Sequence, residues 1–255
     1  MLGRETAIQR VEWSADGWPR IAGGIPAEQV AAPALPPHPV PAPPERDDFD
    51  GDALGPQWST LRRPAGPDWL DLSARPSHLR IRGGQSPRGL RSPSLVARRA
   101  GSVHCSLETS VDFRPTDVRQ LAGVTAYYDT RNWHFAYISR DDRGRRILAV
   151  LTSDDGERVP AASLLLPDGG PVGLRVELDG SYCRFGHRTA DGAWHDAGPA
   201  LNATILSDEY AGEKQPTDGR DASPAFTGAF LGLWVQDIGA EGVYADFDHA
   251  VYRDH

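Results

Sequence analysis

The stretch Leu107-Glu-Thr-Ser-Val-Asp-Phe113 sets Leu107, Thr109, Val111 and Phe113 at every second position. Successive side chains of a strand point to opposite faces, so these four share one face, and Cys105 and Val103 continue it backwards. That parity makes Cys105 a core residue rather than a reactive thiol. The same pattern repeats downstream in LAGVTAYYD (121–129), NWHFAYIS (132–139), RRILAVLTS (145–153), GLRVELDG (173–180) and SYCRFGHR (181–188). Turn residues separate these runs: Asp129 to Asn132, Asp141 to Gly144, Asp154-Asp155-Gly156, Asp179-Gly180 and Asp191-Gly192. Asp-Gly between alternating runs is a strong hairpin signal. FTGAFLGLWVQD (226–237) and VYADFDHAVY (243–252) supply the last two strands. Short strands at this spacing, without helical periodicity between them, predict an all-β antiparallel sandwich or jelly roll over residues 47–255.

Upstream the sequence changes character. Between Pro33 and Pro44 there are seven prolines and no charged side chain apart from His38. Proline has no N–H to give to a helix or a central strand, so residues 24–46 read as an extended spacer, with a PxxP ligand as the minor alternative. Residues 1–23 hold one strand-like run ending at Trp13, the turn Asp16-Gly17, and a second run from Trp18. They read as a single hairpin, too small to stand alone, as though an upstream neighbour belonged beside it.

Charge narrows the partners. Twenty-seven Lys and Arg against 35 Asp and Glu give a net charge of −8, which opposes binding to nucleic acid or to an anionic membrane. The longest apolar run, Ala229 to Val235, is too short to span a bilayer, and no secretory apolar segment follows Met1, so a soluble cytoplasmic chain is expected. Cys105 and Cys183 stand alone, the eight histidines show no metal-ligand spacing, and no nucleophile-elbow, Walker or dinucleotide motif occurs.

Sugar hydrolysis needs two carboxylates roughly 5–9.5 Å apart. Asp246 and Asp248 stand at i and i+2 of a strand, as Asp48 and Asp50 do in DDFD. Three readings stay open for these four: solvated edge residues, oxygen ligands of a structural Ca²⁺, or a catalytic pair. No other cofactor is called for. Tyr127, Tyr128, Trp133, Phe135 and Tyr137 lie on adjacent predicted strands and could pack the core or stack on sugar rings. Asn202-Ala-Thr204 matches a glycosylation acceptor without a secretory context.

Taken together, these segments resemble glycoside hydrolase family 43 in its β-xylosidase branch. Leu2-Gly-Arg-Glu-Thr-Ala-Ile-Gln, Trp13 and Asp16-Gly-Trp18-Pro are similar to that family's last propeller segment. DDFDGDALGPQWSTLRRP, LRIRGGQSPRGLRSPSLVARR, LNATILSDEY and FTGAFLGLWVQD…ADFDHAVY resemble its concanavalin A-like sandwich. The resemblance implies that catalysis, by an aspartate base, a glutamate acid and an orienting aspartate, belongs to a five-bladed propeller preceding these residues. It implies inverting attack by water on xylosides or arabinofuranosides. Arg4 matches the arginine that reaches the family's pocket, and Phe226, after the polar insertion Ala211 to Ser223, matches the aromatic over the pocket mouth. The chain alone is therefore expected to be inactive, with xylo- or arabino-oligosaccharides as its ligands. Two rival readings are a free-standing carbohydrate-binding module and an assembly module that docks a separate catalytic chain or a second copy of itself.

Overall fold

The structure, a computed structural model, describes residues 1–3, 7–86, 88–190, 192–213 and 226–255. The chain forms two compact units, one made of Arg4–Ala42 and the other of Met1–Gly3 with Pro43–His255. In the smaller unit, β1 (Val11–Trp13) pairs antiparallel with β2 (Pro19–Ile21), Trp13 lying opposite Pro19. The turn closes on Ser14, whose carbonyl accepts from Gly17 N at 2.9 Å. Val11, Trp13, Trp18 and Ile21 are all exposed. Residues 22–42 follow as exposed chain without a strand or helix.

The larger unit runs through β3 (Arg46–Asp47), β4 (Ser59–Thr60), β5 (Leu70–Asp71), β6 (Leu79–Arg82), β7 (Ser94–Arg99) and β8 (His104–Phe113). It continues through β9 (Gln120–Tyr127), β10 (Trp133–Arg140), β11 (Arg146–Asp154), β12 (Glu157–Leu165), β13 (Val172–Asp179) and β14 (Tyr182–Arg188). After β15 (His195–Asp196) and β16 (Leu201–Asn202), a 3₁₀ turn at Ala203–Leu206 and a short helix α1 (Asp208–Glu213) precede β17 (Phe230–Asp237) and β18 (Tyr244–Asp254).

Two antiparallel sheets result. One has the order β12-β11-β10-β9-β17-β7-β4; the other runs β15-β14-β13-β8-β18-β6-β5, with β16 on β14 and β3 on β18. The C-terminal strand β18 is thus internal to its sheet, between β8 and β6. The parity of β8 is the one the sequence predicts: Cys105, Leu107, Thr109, Val111 and Phe113 are buried. They join Leu79, Val176 and Phe247 of their own sheet against Val124, Ile138, Val150 and Leu233 of the other in one core. At roughly 25 cal/mol per Å² of apolar surface removed from water, this two-sheet core is what holds the fold. Both cysteines are buried in it as free thiols. Burial pushes the Cys105 thiol up to about 11 and raises Cys183 as well.

Strand β12 has no counterpart in the sequence reading. It lies at a sheet edge, where Pro160 pairs with Leu151 at a register shift, and an edge tolerates a residue with no N–H to give. The turn before it does follow from sequence: Asp155 and Gly156 have φ of 52° and 85°, the left-handed pair that a tight hairpin requires.

His134 is buried where β10 and β11 meet the end of β16. Its Nε2 donates to Asn202 O at 3.0 Å, which leaves Nδ1 to accept from Thr152 Oγ1 at 3.0 Å. Desolvation drops its pKa to about 4, opposed by the Asn202 hydrogen bond, so the ring is neutral.

Candidate functional site

Phe226 opens the segment that enters β17, and backbone contacts fix that segment on both sides. Ala229 N donates to Met1 O at 2.7 Å, and Ala100 N donates to Ala229 O at 2.9 Å. Arg99 Nη2 donates to Leu2 O at 2.9 Å. Residues 1–3 therefore cross the start of β17 closely enough that only glycine fits at the crossing. A Cβ on Gly228 would stand 2.7 Å from Leu2 O, and one on Gly3 would stand 2.7 Å from Gly228 N. Both glycines also have left-handed φ, +71° and +74°.

Below this crossing, Asp208 at the start of α1 accepts from Tyr128 Oη at 2.6 Å and from Gly228 N at 3.3 Å. Burial, reinforced by the Asp208 carboxylate, holds the Tyr128 phenol well above its ordinary pKa, so it remains a donor. Phe226 is thus carried on an anchored backbone with 48% of its surface exposed. The arrangement offers an exposed ring, and Asp208 Oδ1 is held by two donors. Gly3, packed on Thr227 and Gly228, is the last described residue before Arg4, which lies outside the described residues.

The four aspartates singled out from sequence are not brought together. Asp246 lies in β18 directly opposite Arg80 of β6 and Asp112 of β8. Arg80 grips it with a fork, Nε to Oδ1 at 2.7 Å and Nη2 to Oδ2 at 2.8 Å, and Arg75 Nη1 adds a bond at 3.2 Å. Burial opposes its ionisation, but the two guanidinium groups outweigh burial and hold the pKa below the usual carboxylate range.

The common face expected for Asp246 and Asp248 fails for a structural reason. Phe247 pairs with Val111 but Ala250 with Thr109, so β18 carries one extra residue there. Asp248 sits on that bulge, 3.3 Å from His249 Nδ1. Asp48 pairs with Arg46 Nε at 2.7 Å, and Asp50 accepts from Ser77 Oγ at 2.6 Å. Among the described residues no three His, Cys, Asp or Glu side chains are grouped to hold a metal ion, so this set does not fit Ca²⁺. Nor do the four form a free pair across an open bond-sized gap, because each already has a partner.

The aromatic row splits. Tyr128 faces the main core, whereas Tyr127, Trp133 and Phe135 surround Trp234 on the other face of the β9–β10–β17 region. Ring centroids lie 5.7, 5.9 and 5.1 Å from Trp234. All four rings are buried, so they pack one another and present no stacking platform to a sugar.

Fold and site together define a two-sheet antiparallel β-sandwich module that carries a half-exposed aromatic ring, Phe226, on an anchored backbone. Residues 46–253 match the β-xylosidase C-terminal concanavalin A-like domain of glycoside hydrolase family 43, and the chain belongs to that family. It is 37% identical over 257 residues to a xylan 1,3-β-xylosidase of Vibrio sp, covering all of this chain and 46% of that protein. It is 34% identical to a β-xylosidase of Bacillus subtilis, covering 99% of this chain and 46% of that protein. The crystal structure of xylan β-1,4-xylosidase from Bacillus halodurans superposes with a TM-score of 0.89 at 37% identity, over 99% of this chain and 47% of that one. The chain thus spans about half the length of the relatives it matches.

Proposed function

We propose that this chain serves as the C-terminal accessory half of a family 43 β-xylosidase or α-L-arabinofuranosidase, shaping the mouth of a pocket whose catalytic groups lie in a propeller half. The observation that carries this reading is the Phe226 ring, held by the Gly3–Gly228 crossing and Asp208 yet left half exposed. A ring of that kind narrows a pocket mouth and excludes water around short, non-reducing-end substrates. It supplies no proton, so its contribution is to substrate fit. By the family resemblance, Arg4 is assigned the part of donating a fork of hydrogen bonds to a substrate hydroxyl or to the base.

The test is a chimera in which this chain replaces the corresponding half of the Bacillus halodurans enzyme. Aryl-xyloside hydrolysis should require the catalytic half, and the 255-residue chain alone should show none. In the chimera, Phe226→Ala should raise KM about tenfold with kcat changed less than about twofold. Turnover by the chain alone that Asp246→Ala abolishes, or a chimera indifferent to Phe226→Ala, would overturn the proposal.

A further inference from the structure

The outer face of the β8–β18–β6 region carries an open cleft of about 530 Å³, whose lining does not include Phe226. Its floor is the row Arg80, Asp246 and Asp112, one residue from each of three adjacent strands. Arg75 bridges the two carboxylates, at 3.0 Å to Asp112 and 3.2 Å to Asp246. Arg114 stands at the rim, its Nε 3.9 Å from Asp112 and its side chain 85% exposed. Glu241, also in the lining, accepts from Gln120 Nε2 at 3.1 Å. Tyr244 also lines the cleft. The Arg80 guanidinium lies 3.9 Å from its ring centroid, which fixes the ring, while 48% of the residue remains exposed.

Three guanidinium groups and three carboxylates line this cleft, so their formal charges cancel. An anion entering it would meet Asp112, Asp246 and Glu241; a cation would meet Arg75, Arg80 and Arg114. Neither gains from the balance. A ligand of hydroxyl groups does gain, because each hydroxyl both donates and accepts and can bond a carboxylate oxygen and a guanidinium N–H at once. The ion pairs of Arg75 and Arg80 with Asp112 and Asp246 hold these four groups in place beforehand, so little of their side-chain freedom remains to be lost on binding. The fixed ring of Tyr244 adds a rigid, amphipathic surface for the C–H face of a sugar.

We infer that this cleft binds a short neutral oligosaccharide, at a site separate from the pocket that Phe226 borders. This inference stands on the cleft alone, and holds whether or not the chain completes a hydrolase.

Calorimetric titration of the 255-residue chain with xylotriose and cellotriose, and with an acidic trisaccharide of uronic acid, provides the test. A neutral trisaccharide should bind saturably at millimolar concentration or below. Tyr244→Ala and Arg114→Ala should each weaken it about tenfold or more, since the first removes the ring and the second a rim donor. Tyr182→Ala is the control: Tyr182 is also half exposed and lies under an arginine, Arg184 at 5.3 Å, but outside the cleft, and its loss should leave binding unchanged. Should Tyr244→Ala disturb folding, the exposed Arg114 variant carries the test by itself. The inference falls if no neutral trisaccharide binds up to about 20 mM, if binding survives both cleft substitutions, or if only the acidic sugar binds.

Discussion

Two tryptophan pairs separate the two units of this chain. In the sandwich, Trp133 and Trp234 are 1% and 0% exposed; in the hairpin, Trp13 and Trp18 are 73% and 68% exposed. Both pairs sit on or beside antiparallel strands with regular ladder bonds. Backbone pairing therefore explains neither the burial of one pair nor the exposure of the other. What differs is the second layer: β9 is covered on both faces and all eight of its residues are buried, whereas among the described residues β1 pairs with β2 and every residue of both strands is exposed. A two-stranded ribbon is marginal in water without such a layer. Under the proposed function, the exposed hairpin rings are the surface that neighbouring propeller strands would cover.

The contrast can be broken most directly at its buried end. Trp234→Ala removes the ring on which Tyr127, Trp133 and Phe135 converge, and should cost about 3–5 kcal/mol in urea unfolding. A loss below about 1 kcal/mol would mean that the outer aromatic cluster is not part of the stabilising core.

Acid should act on the sandwich next. The folded pKa of His134 is about 4, below its unfolded value of 6.5, so the unfolded chain takes up the proton first as pH falls. The stability tied to neutral His134 is complete above pH 6.5 and is lost as pH drops toward 4, by about 3 kcal/mol for a gap of this size. Urea midpoints measured across that window should fall in the wild type and much less in His134→Gln. An equal fall in both would assign the acid sensitivity to other groups.

The smallest effect belongs to the hairpin. Replacing Trp13 and Trp18 together by Ser should change the unfolding free energy of the sandwich by less than about 0.5 kcal/mol, because both rings are already in water. A melting temperature lowered by several degrees would show that these rings are covered in solution, and would remove the distinction between the units.

Much of the sandwich was legible because its signals are local. The alternation in Leu107–Phe113 gave the inward face of β8, and Asp155-Gly156 gave a turn whose φ values those residues favour. Strand β12 was not legible: Pro160 and its exposed neighbours at a sheet edge leave no alternation to read. The site residues divide in the same way. Phe226 could be singled out by its place in a recognisable segment, but the crossing that anchors its loop joins residues at opposite ends of the sequence. Arg80 and Asp246 are 166 positions apart, and the bulge after Phe247 overrides the i, i+2 rule that made Asp246 and Asp248 a pair. Trp234, the hub of the outer aromatic cluster, likewise lies far along the chain from the rings it gathers.

The internal position of β18 bears on the order in which this molecule can be made. A ribosome delivers the chain from its N-terminus, yet the strand between β8 and β6 emerges after both of its neighbours. Until then β8 and β6 each present an unfilled edge, and the nascent sandwich holds a slot that any other extended segment could enter. Folding of this sheet therefore cannot complete until β18 has left the ribosome, and a messenger truncated before Tyr244 would yield a product lacking an inner strand. Such a product would be a substrate for quality-control proteases rather than a shortened working domain.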